Sequence, residues 1–296
     1  MEFKPEKELE VIVKEKPVKV FYFSHSQDKP IALVLHGLRN DTRKVYPLIH
    51  LLEPHYSVVA FDFPGYGESR DVAEDYENYI EYGTEVVLEI IKQLNLKTEK
   101  MLMLGGSYGS NVIINTLLTH PEIKIRKAGL IAPLFSEDTL SMGPKMKRSI
   151  LRLAKSMAKG KLVTKIGQFI VNNDTLFEFL VRRTMEGPHT REMLDHEKRL
   201  WRICDMKTWG RSVMDLLLMD NSKFLDMRVT DLDAVFVYPR KDQYLEVSEV
   251  TEKYKQIFPK AKFEYFESET HMPKGEFQKD LAFMERMKNL IEENLV

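Results

Sequence analysis

Several residue types that build specialised sites are scarce in this chain of 296 residues. It holds a single cysteine, Cys204, which excludes a disulfide framework and a cysteine-based metal site. No apolar run approaches the ~18 residues of a transmembrane helix, and the charged first residues lack the apolar core of a signal peptide. We therefore expect an intracellular, cytoplasmic protein that uses neither a metal nor another cofactor.

An excess of one charge sign is also missing. The chain has 44 Lys and Arg against 45 Asp and Glu, a formal net charge of -1. This balance gives no general attraction to nucleic acid or to membranes, so we expect a small-molecule partner and no nucleic acid. Hydrophobic residues make up 43% of the chain, which is enough for one large α/β domain with an insertion. Nothing in the composition predicts an oligomeric state.

Short apolar runs alternate with helical patterns along most of the chain. Runs that are apolar on both faces are typical of parallel strands covered by helices on each side, and the first two runs alternate like an antiparallel pair. We predict strands at 9–13, 18–23, 31–35, 57–61, 101–104, 128–133, 234–238 and 262–266, and helices at 42–52, 76–94, 247–258 and 277–295.

The alternation stops between residues 134 and 230, where the sequence has helical patterns, many methionines and both tryptophans. A strand and helix alternation that is interrupted by a stretch with only helical patterns predicts an α/β core with an inserted helical unit. We assign residues 1–133 and 231–296 to the core domain and residues 134–230 to a helical insertion.

The segment Gly105-Gly106-Ser107-Tyr108-Gly109 lies between a predicted strand and a predicted helix. Strand, tight turn and helix form the context in which a G-x-S-x-G sequence presents a nucleophilic serine. Side chains two residues before and after the serine would collide with neighbouring backbone, which explains Gly105 and Gly109. Ser107 is therefore the candidate nucleophile, and the amide of Tyr108 points to where negative charge would develop.

A serine hydroxyl needs a base within hydrogen-bond reach, and the base needs an orienting group. His271 follows the strand 262–266, whereas His189 and His196 fall in the insertion. Asp242 follows the strand 234–238 and is the leading acid, while Asp138 follows the strand 128–133 and is the substitute. The order serine, acid, histidine is the one used on this kind of sheet.

With these motifs the chain resembles the α/β-hydrolase family. The further motifs that carry the resemblance are His36-Gly37-Leu38 and the run from Asp62 to Ser69. The resemblance implies a triad of Ser107, His271 and Asp242 and an oxyanion hole made by the amides of Leu38 and Tyr108. Gly37 would present the Leu38 amide, and His36 would be a buried hydrogen-bonding residue.

The resemblance predicts a serine hydrolase that cleaves carboxylic esters through an acyl-enzyme. Ser107 argues against haloalkane dehalogenases and epoxide hydrolases, which use an aspartate at this turn. The turn at Gly105–Gly109, called the nucleophile elbow below, is similar to that of prolyl iminopeptidases. The loop from His36 to Asp41, however, departs from their glycine- and proline-rich pattern. Thioesterases and carbon–carbon bond hydrolases remain alternatives, as does a non-catalytic ligand-binding module on the same fold.

Residues 139–173 contain eight Lys or Arg and no acidic residue. Met146, Ile150, Leu153 and Met157 recur there at helical spacing and predict an apolar stripe beside a basic face. This pattern has two interpretations. The first is an ordinary helix with solvated lysines in the cap, the role that the resemblance gives to the insertion at residues 134–230. The second is a weak contact with anionic lipid surfaces or anionic acyl substrates.

Overall fold

The computed structural model describes residues 2–24, 26, 28–76, 78–184, 190–268, 270–273 and 276–296. Within these residues eight strands form one sheet in the order β1-β2-β4-β3-β5-β6-β7-β8. Their bounds are β1 Lys7–Val13, β2 Lys16–Phe23, β3 Ile31–Leu35, β4 Ser57–Phe61, β5 Leu102–Gly106, β6 Lys127–Ile131, β7 Asp233–Pro239 and β8 Lys262–Phe266.

The sheet is parallel except at one side. β1 pairs antiparallel with β2, and β2 pairs antiparallel with β4. All pairs from β4 and β3 across to β7 and β8 are parallel. The carboxyl ends of β5, β7 and β8 therefore meet at one edge of the sheet, where open α/β sheets keep their sites.

Helices follow the strands as the apolar periodicity predicts. Their bounds are α1 Thr42–Leu52, α2 Tyr79–Gln93, α3 Tyr108–Thr119, α4 Pro144–Lys159, α5 Lys161–Asn172, α6 Asp174–Thr184, α7 Arg191–Arg202, α8 Met206–Leu217, α9 Val247–Ile257 and α10 Leu281–Leu290. Asp41 begins α1 by accepting a hydrogen bond from the Lys44 amide, which satisfies one of the free amides of the first turn. None of the described helices has both the length and the apolar character needed to cross a membrane.

The predicted fold class, an α/β fold with a mostly parallel sheet between helices and an insertion of helices, is confirmed. Every residue of β4 and β5 is buried, because helices cover both faces of these strands. The first hairpin differs from the prediction, since Lys16 and Pro17 belong to β2 and the turn is Lys14-Glu15, both with positive φ.

The last predicted helix is interrupted. A 3₁₀ turn spans Phe277–Lys279, and α10 begins after Asp280, whose side chain accepts a hydrogen bond from the Phe283 amide. The chain then continues from α10 into one π turn at Ile291–Leu295. Asp280 favours a helix start over a helix interior, and for that reason one continuous helix from 277 to 295 was a wrong prediction.

Helices α4 to α8 occupy the insertion between β6 and β7. α4 packs closely on α8, because a Cβ at Gly210 would lie only 2.6 Å from the Ala154 carbonyl oxygen. The apolar stripe predicted on α4 is only partly internal: Met157 is buried, but Met146 and Leu153 are each 48% exposed. Ala154, which is not part of the predicted stripe, is buried and packs with Val213 and Leu217 of α8. The buried face of α4 therefore differs from the predicted one.

Candidate active site

The turn between β5 and α3 holds Ser107 in a strained conformation. Its φ of 50° and ψ of -113° lie outside the regions that non-glycine residues ordinarily adopt. A Cβ at Gly105 would lie 2.7 Å from the Ser110 nitrogen, and a Cβ at Gly109 would lie 2.6 Å from the Leu35 carbonyl oxygen. Only glycine fits this close backbone contact, so the turn can hold Ser107 at the carboxyl edge of the sheet.

Ser107, His271 and Asp242 are joined by two hydrogen bonds. Nε2 of His271 lies 2.8 Å from Oγ of Ser107, and Nδ1 of His271 lies 2.7 Å from Oδ2 of Asp242. The Asp242 side chain is fully buried, and its other oxygen accepts a hydrogen bond from the Tyr244 amide at 2.8 Å. The arrangement lets Asp242 hold the imidazole with Nδ1 protonated, which leaves Nε2 free to accept the serine proton.

Asp138, the substitute acid, lies elsewhere. Its carboxylate binds Lys253 at 2.6 Å and also accepts a hydrogen bond from the Ser136 hydroxyl. The hydrogen bond from Lys253 holds the pKa of Asp138 below its ordinary value. Asp138 makes no described contact with His271, so the structure separates the two candidate acids and joins only Asp242 to the histidine.

The two amides assigned to the oxyanion hole both border the serine. The Leu38 and Tyr108 amides donate no hydrogen bond to another described residue, so both are free to bind a ligand. A Cβ at Gly37 would lie 3.8 Å from the Ser107 Cβ, which shows how closely the Leu38 loop approaches the elbow. The Tyr108 ring is buried beneath the site and its hydroxyl donates to the Tyr79 carbonyl at 2.6 Å. Only the backbone of Tyr108 is therefore available for chemistry.

His36 supports this loop from within the core. Its Nε2 accepts a hydrogen bond from the Phe63 amide at 2.9 Å, and Nδ1 donates to the Gly37 carbonyl at 2.8 Å. Burial lowers the pKa of His36 to about 4, so the ring stays neutral at physiological pH. His36 thus ties the Gly37 turn to the loop after β4 and has no contact with Ser107.

Asp62 fixes the neighbouring loop in a similar way. Its carboxylate accepts hydrogen bonds from the amide and hydroxyl of Thr42 and from the Glu68 amide. Burial, with Asp41 nearby, raises the pKa of Asp62 to about 7. Gly67 approaches so closely that a Cβ there would clash with the Asp62 carboxylate, and its φ of 54° also favours glycine.

A cavity of about 430 Å³ lies above Ser107 and His271. This volume is within the range of small-molecule sites. Apolar side chains of the insertion form much of its wall, among them Ile150, Trp209 and Val213. Within the described residues no cluster of three or more His, Cys, Asp or Glu side chains could hold a metal ion.

A charged wall of the same cavity was not predicted from the sequence. Arg39, Lys44, His196 and Glu197 line it, contributed by the loop before α1, by α1 and by α7. His196 therefore borders the cavity but contacts Lys44 rather than Ser107, and His189 lies outside the described residues. The sequence feature that could have indicated this wall is the helical spacing of Lys44 and Leu48, which places the lysine on the same helix face as a buried leucine.

Comparison with known proteins gives the same fold. A hydrolase of (E)-2-((N-methylformamido)methylene)succinate from Acinetobacter baylyi is 30% identical over 111 residues, which are 37% of this chain and 40% of that protein. This chain thus matches less than half the length of that curated relative.

Two solved structures are similar over nearly their whole lengths. An esterase from Exiguobacterium antarcticum is 18% identical with a TM-score of 0.69, covering 96% of this chain and 99% of that one. Carboxylesterase CesB from Bacillus subtilis is 14% identical with a TM-score of 0.67, covering 99% and 92%. At these identities the likeness supports the fold alone.

The family model described as alpha/beta hydrolase fold matches residues 30–276. That range runs from the strand before the Leu38 loop to a point beyond His271, and so includes the elbow and both partner loops. The chain belongs to the alpha/beta-hydrolase family.

Proposed function

We propose that this protein is a serine hydrolase that cleaves carboxylic esters through an acyl-enzyme. The observation that carries the proposal is the hydrogen-bonded chain from Ser107 through His271 to Asp242, whose serine and histidine line a cavity of about 430 Å³. A serine, a base within reach of it and an orienting acid are the groups that acyl transfer requires. The similar structures, an esterase and a carboxylesterase, agree with this reaction class.

In the first half-reaction the Ser107 hydroxyl gives its proton to Nε2 of His271 while its oxygen attacks the ester carbonyl carbon. The Leu38 and Tyr108 amides stabilise the oxyanion of the tetrahedral intermediate. His271 then protonates the departing alcohol oxygen as the carbon–oxygen bond breaks, which leaves Ser107 acylated. In the second half-reaction a water molecule gives a proton to His271 and attacks the acyl carbon, and Ser107 leaves with its proton restored.

The insertion acts in this proposal as a cap over the core formed by residues 1–133 and 231–296. Residues 134–230 supply apolar side chains that face the cavity, including Leu134, Leu140 and Trp209. A mainly apolar wall suits the hydrocarbon part of an acyl group and excludes water from the reacting atoms.

Hydrolysis of matched acyl derivatives tests the reaction class. We expect purified protein to hydrolyse 4-nitrophenyl butanoate with a higher kcat/KM than butanoyl-coenzyme A or proline 4-nitroanilide. A higher kcat/KM for the thioester or the anilide would favour the thioesterase or peptidase alternative. If a carbon–carbon bond substrate were cleaved but no ester, the proposal would give way to that reaction, and an absence of turnover on all of them would favour a binding module.

We infer in addition that the cap touches anionic lipid surfaces. On α5, Leu162 is 71% exposed and Phe169 is 63% exposed, and Ile166 lies between them at helical spacing. The exposed side chains of α4 include Arg148, Arg152 and Lys155, and no acidic residue occurs between 139 and 173. Exposed apolar side chains on α5 and exposed basic side chains on α4 match an anionic membrane surface better than they match water.

Charge reversal on α4 tests the lipid contact. We expect the triple variant Lys145→Glu, Arg148→Glu and Arg152→Glu to partition onto phosphatidylserine-containing vesicles roughly 100-fold less, since each basic residue near such a surface contributes about 1 kcal/mol. Vesicle sedimentation at low and high salt measures this, with neutral phosphatidylcholine vesicles beside it.

A matched control carries the same change of net charge on core helices, through Lys92→Glu, Lys255→Glu and Lys288→Glu. These three side chains are exposed and lie on α2, α9 and α10. Equal partitioning of both triple variants and the unaltered protein would contradict the lipid contact. Self-association that involves Phe169, measured by sedimentation velocity, would instead identify a second copy of the chain as the partner of this face.

A further inference from the structure

Lys44 is a buried cation on the wall of the active-site cavity. The residue is only 6% exposed, yet it lines the cavity that contains Ser107 and His271. A lysine with so little access to water normally has a carboxylate beside it, because removing an ammonium group from water costs several kcal/mol. No carboxylate of the described residues lies within salt-bridge distance of its Nζ.

The neighbouring charges are already paired with one another. Arg39 binds Glu197 at 2.8 Å, and Arg199 binds Asp41 at 2.7 Å. The Arg39 guanidinium also lies over the Trp201 ring, 4.8 Å from its centroid. Glu276, whose charge also acts on Lys44, pairs with Lys279 at 3.4 Å, so each of these carboxylates has another cation as its partner.

The described groups that the Lys44 ammonium contacts are uncharged. Its Nζ lies 3.3 Å from Nε2 of His196 and 4.5 Å from the centroid of the Phe277 ring. An ammonium group only donates, so His196 accepts with an unprotonated Nε2. Burial and then the charge of Lys44 lower the pKa of His196 to about 3, which keeps the ring neutral. Lys44 thus uses one donor on a neutral acceptor and lines the cavity without a described carboxylate in direct contact with its Nζ.

We propose that Lys44 binds a carboxylate of the substrate, so that the enzyme acts on esters that carry a negative charge besides the ester group. This inference rests on the proposed ester hydrolysis at Ser107 and specifies its substrate class. The charged residues among those that line the cavity are Arg39, Lys44 and Glu197, which leaves one positive charge in excess. One excess charge from a single ammonium group matches a singly charged carboxylate; a phosphate dianion favours several donors or a bidentate arginine.

Pairs of esters that differ by one carboxylate test the specificity. Monomethyl succinate, glutarate and adipate are compared with methyl butanoate, pentanoate and hexanoate, and butanoyl glycolate with ethyl butanoate, by titration of released acid. We expect a higher kcat/KM for the charged member of at least one pair. In Lys44→Met the KM of that ester should rise about 10- to 100-fold relative to its neutral partner, since a hydrogen bond between charged groups is lost.

Two other variants separate charge from packing. Lys44→Arg keeps the positive charge and should retain part of the preference for the charged ester. Lys198→Met removes another lysine with little exposed surface, which pairs with Asp174 and does not line the cavity, so the wild-type ratio should persist. Methionine fills the volume of Lys44 without its charge, so the variant avoids an unpaired buried ion.

The pH dependence gives an independent measurement. Burial lowers the pKa of Lys44 to about 8, against the opposing charges of Glu197, Glu276 and Asp41 and with the like charge of Arg199. Lys44 is cationic below this pKa and neutral above it. The ratio of kcat/KM for the charged ester to that for the neutral ester should therefore fall as pH rises through about 8, and be flat in Lys44→Met.

A binding measurement separates this inference from the proposed reaction. In Ser107→Ala protein, calorimetric titration with monomethyl succinate, glutarate and adipate should give, for at least one of them, a Kd that rises about 10- to 100-fold when Lys44→Met is added. If no ester is hydrolysed but this difference in Kd is found, the subsite stands and the reaction fails. A charged-to-neutral ratio near one in every pair, together with an unchanged Kd, would overturn the subsite.

Discussion

Ser107→Ala should abolish ester hydrolysis almost completely, lowering kcat by about 10⁴- to 10⁶-fold, as loss of the nucleophile does in other serine hydrolases. The change removes one oxygen from a turn whose backbone is fixed by the packing of Gly105 and Gly109, so the fold should be unaffected. Hydrolysis of 4-nitrophenyl butanoate by purified protein, beside a thermal unfolding curve, measures both expectations.

A serine in the first turn of α3, close to Ser107, serves as the control. Ser110 is buried and donates to the Gly105 carbonyl at 2.7 Å, three residues beyond the nucleophile. Ser110→Ala also removes one hydroxyl near the elbow, but it leaves the hydrogen bond between Ser107 and His271 intact. Near-normal turnover by Ser107→Ala would contradict the assignment of the nucleophile, whatever Ser110→Ala does.

Asp242→Asn should lower kcat by up to ~10⁴-fold, the loss seen when the orienting acid of such a triad becomes an amide. The amide can donate to Nδ1 of His271, which favours the tautomer that has its proton on Nε2 and cannot accept one from Ser107. The measurement is kcat for the 4-nitrophenyl ester across pH 6 to 9, so that a change in protonation is not mistaken for a change in rate.

Asp138→Asn is the matched control for this change. Asp138 follows β6 and binds Lys253, while Asp242 follows β7 and binds His271. We expect Asp138→Asn to leave kcat within a few-fold of the unaltered protein. If instead Asp138→Asn lost activity and Asp242→Asn retained it, the orienting acid would be the residue after the earlier strand.

The parts of the fold that the sequence predicted well are segments with clear apolar patterns between polar turns. β3, α1, β4 and β8 begin and end at the predicted residues, because apolar runs bounded by polar turns leave little choice of register. Where a side chain competes with the helix backbone, as at Asp280, periodicity alone extended the helix too far.

The candidate site also has a part that the sequence predicted, the turn at Ser107, and a part that it did not predict, the charged wall of the cavity. Gly105 and Gly109 predicted a strained turn, and the backbone of Ser107 has strained φ and ψ angles. Lys44 and His196 meet across 152 positions of sequence, in a contact made only when the insertion folds over α1. No local pattern encodes such a contact, so the charged wall of the cavity became visible only in three dimensions.

The exposed face of the cap was unpredictable for another reason. Leu162 and Phe169 have the helical spacing that normally indicates a buried face, and yet they point to solvent. Burial is a rule about most apolar residues in a chain, and departures from it mark surfaces that meet something other than water.

Covalent labelling of Ser107 tests most directly whether this residue is the nucleophile. Purified protein is incubated with a fluorophosphonate probe, digested, and mapped by mass spectrometry, beside the variants Ser107→Ala and Ser110→Ala. We expect one phosphonylated site at Ser107, loss of labelling in Ser107→Ala, and normal labelling in Ser110→Ala. An unlabelled protein, or a label on any other residue with Ser107 free, would contradict this assignment.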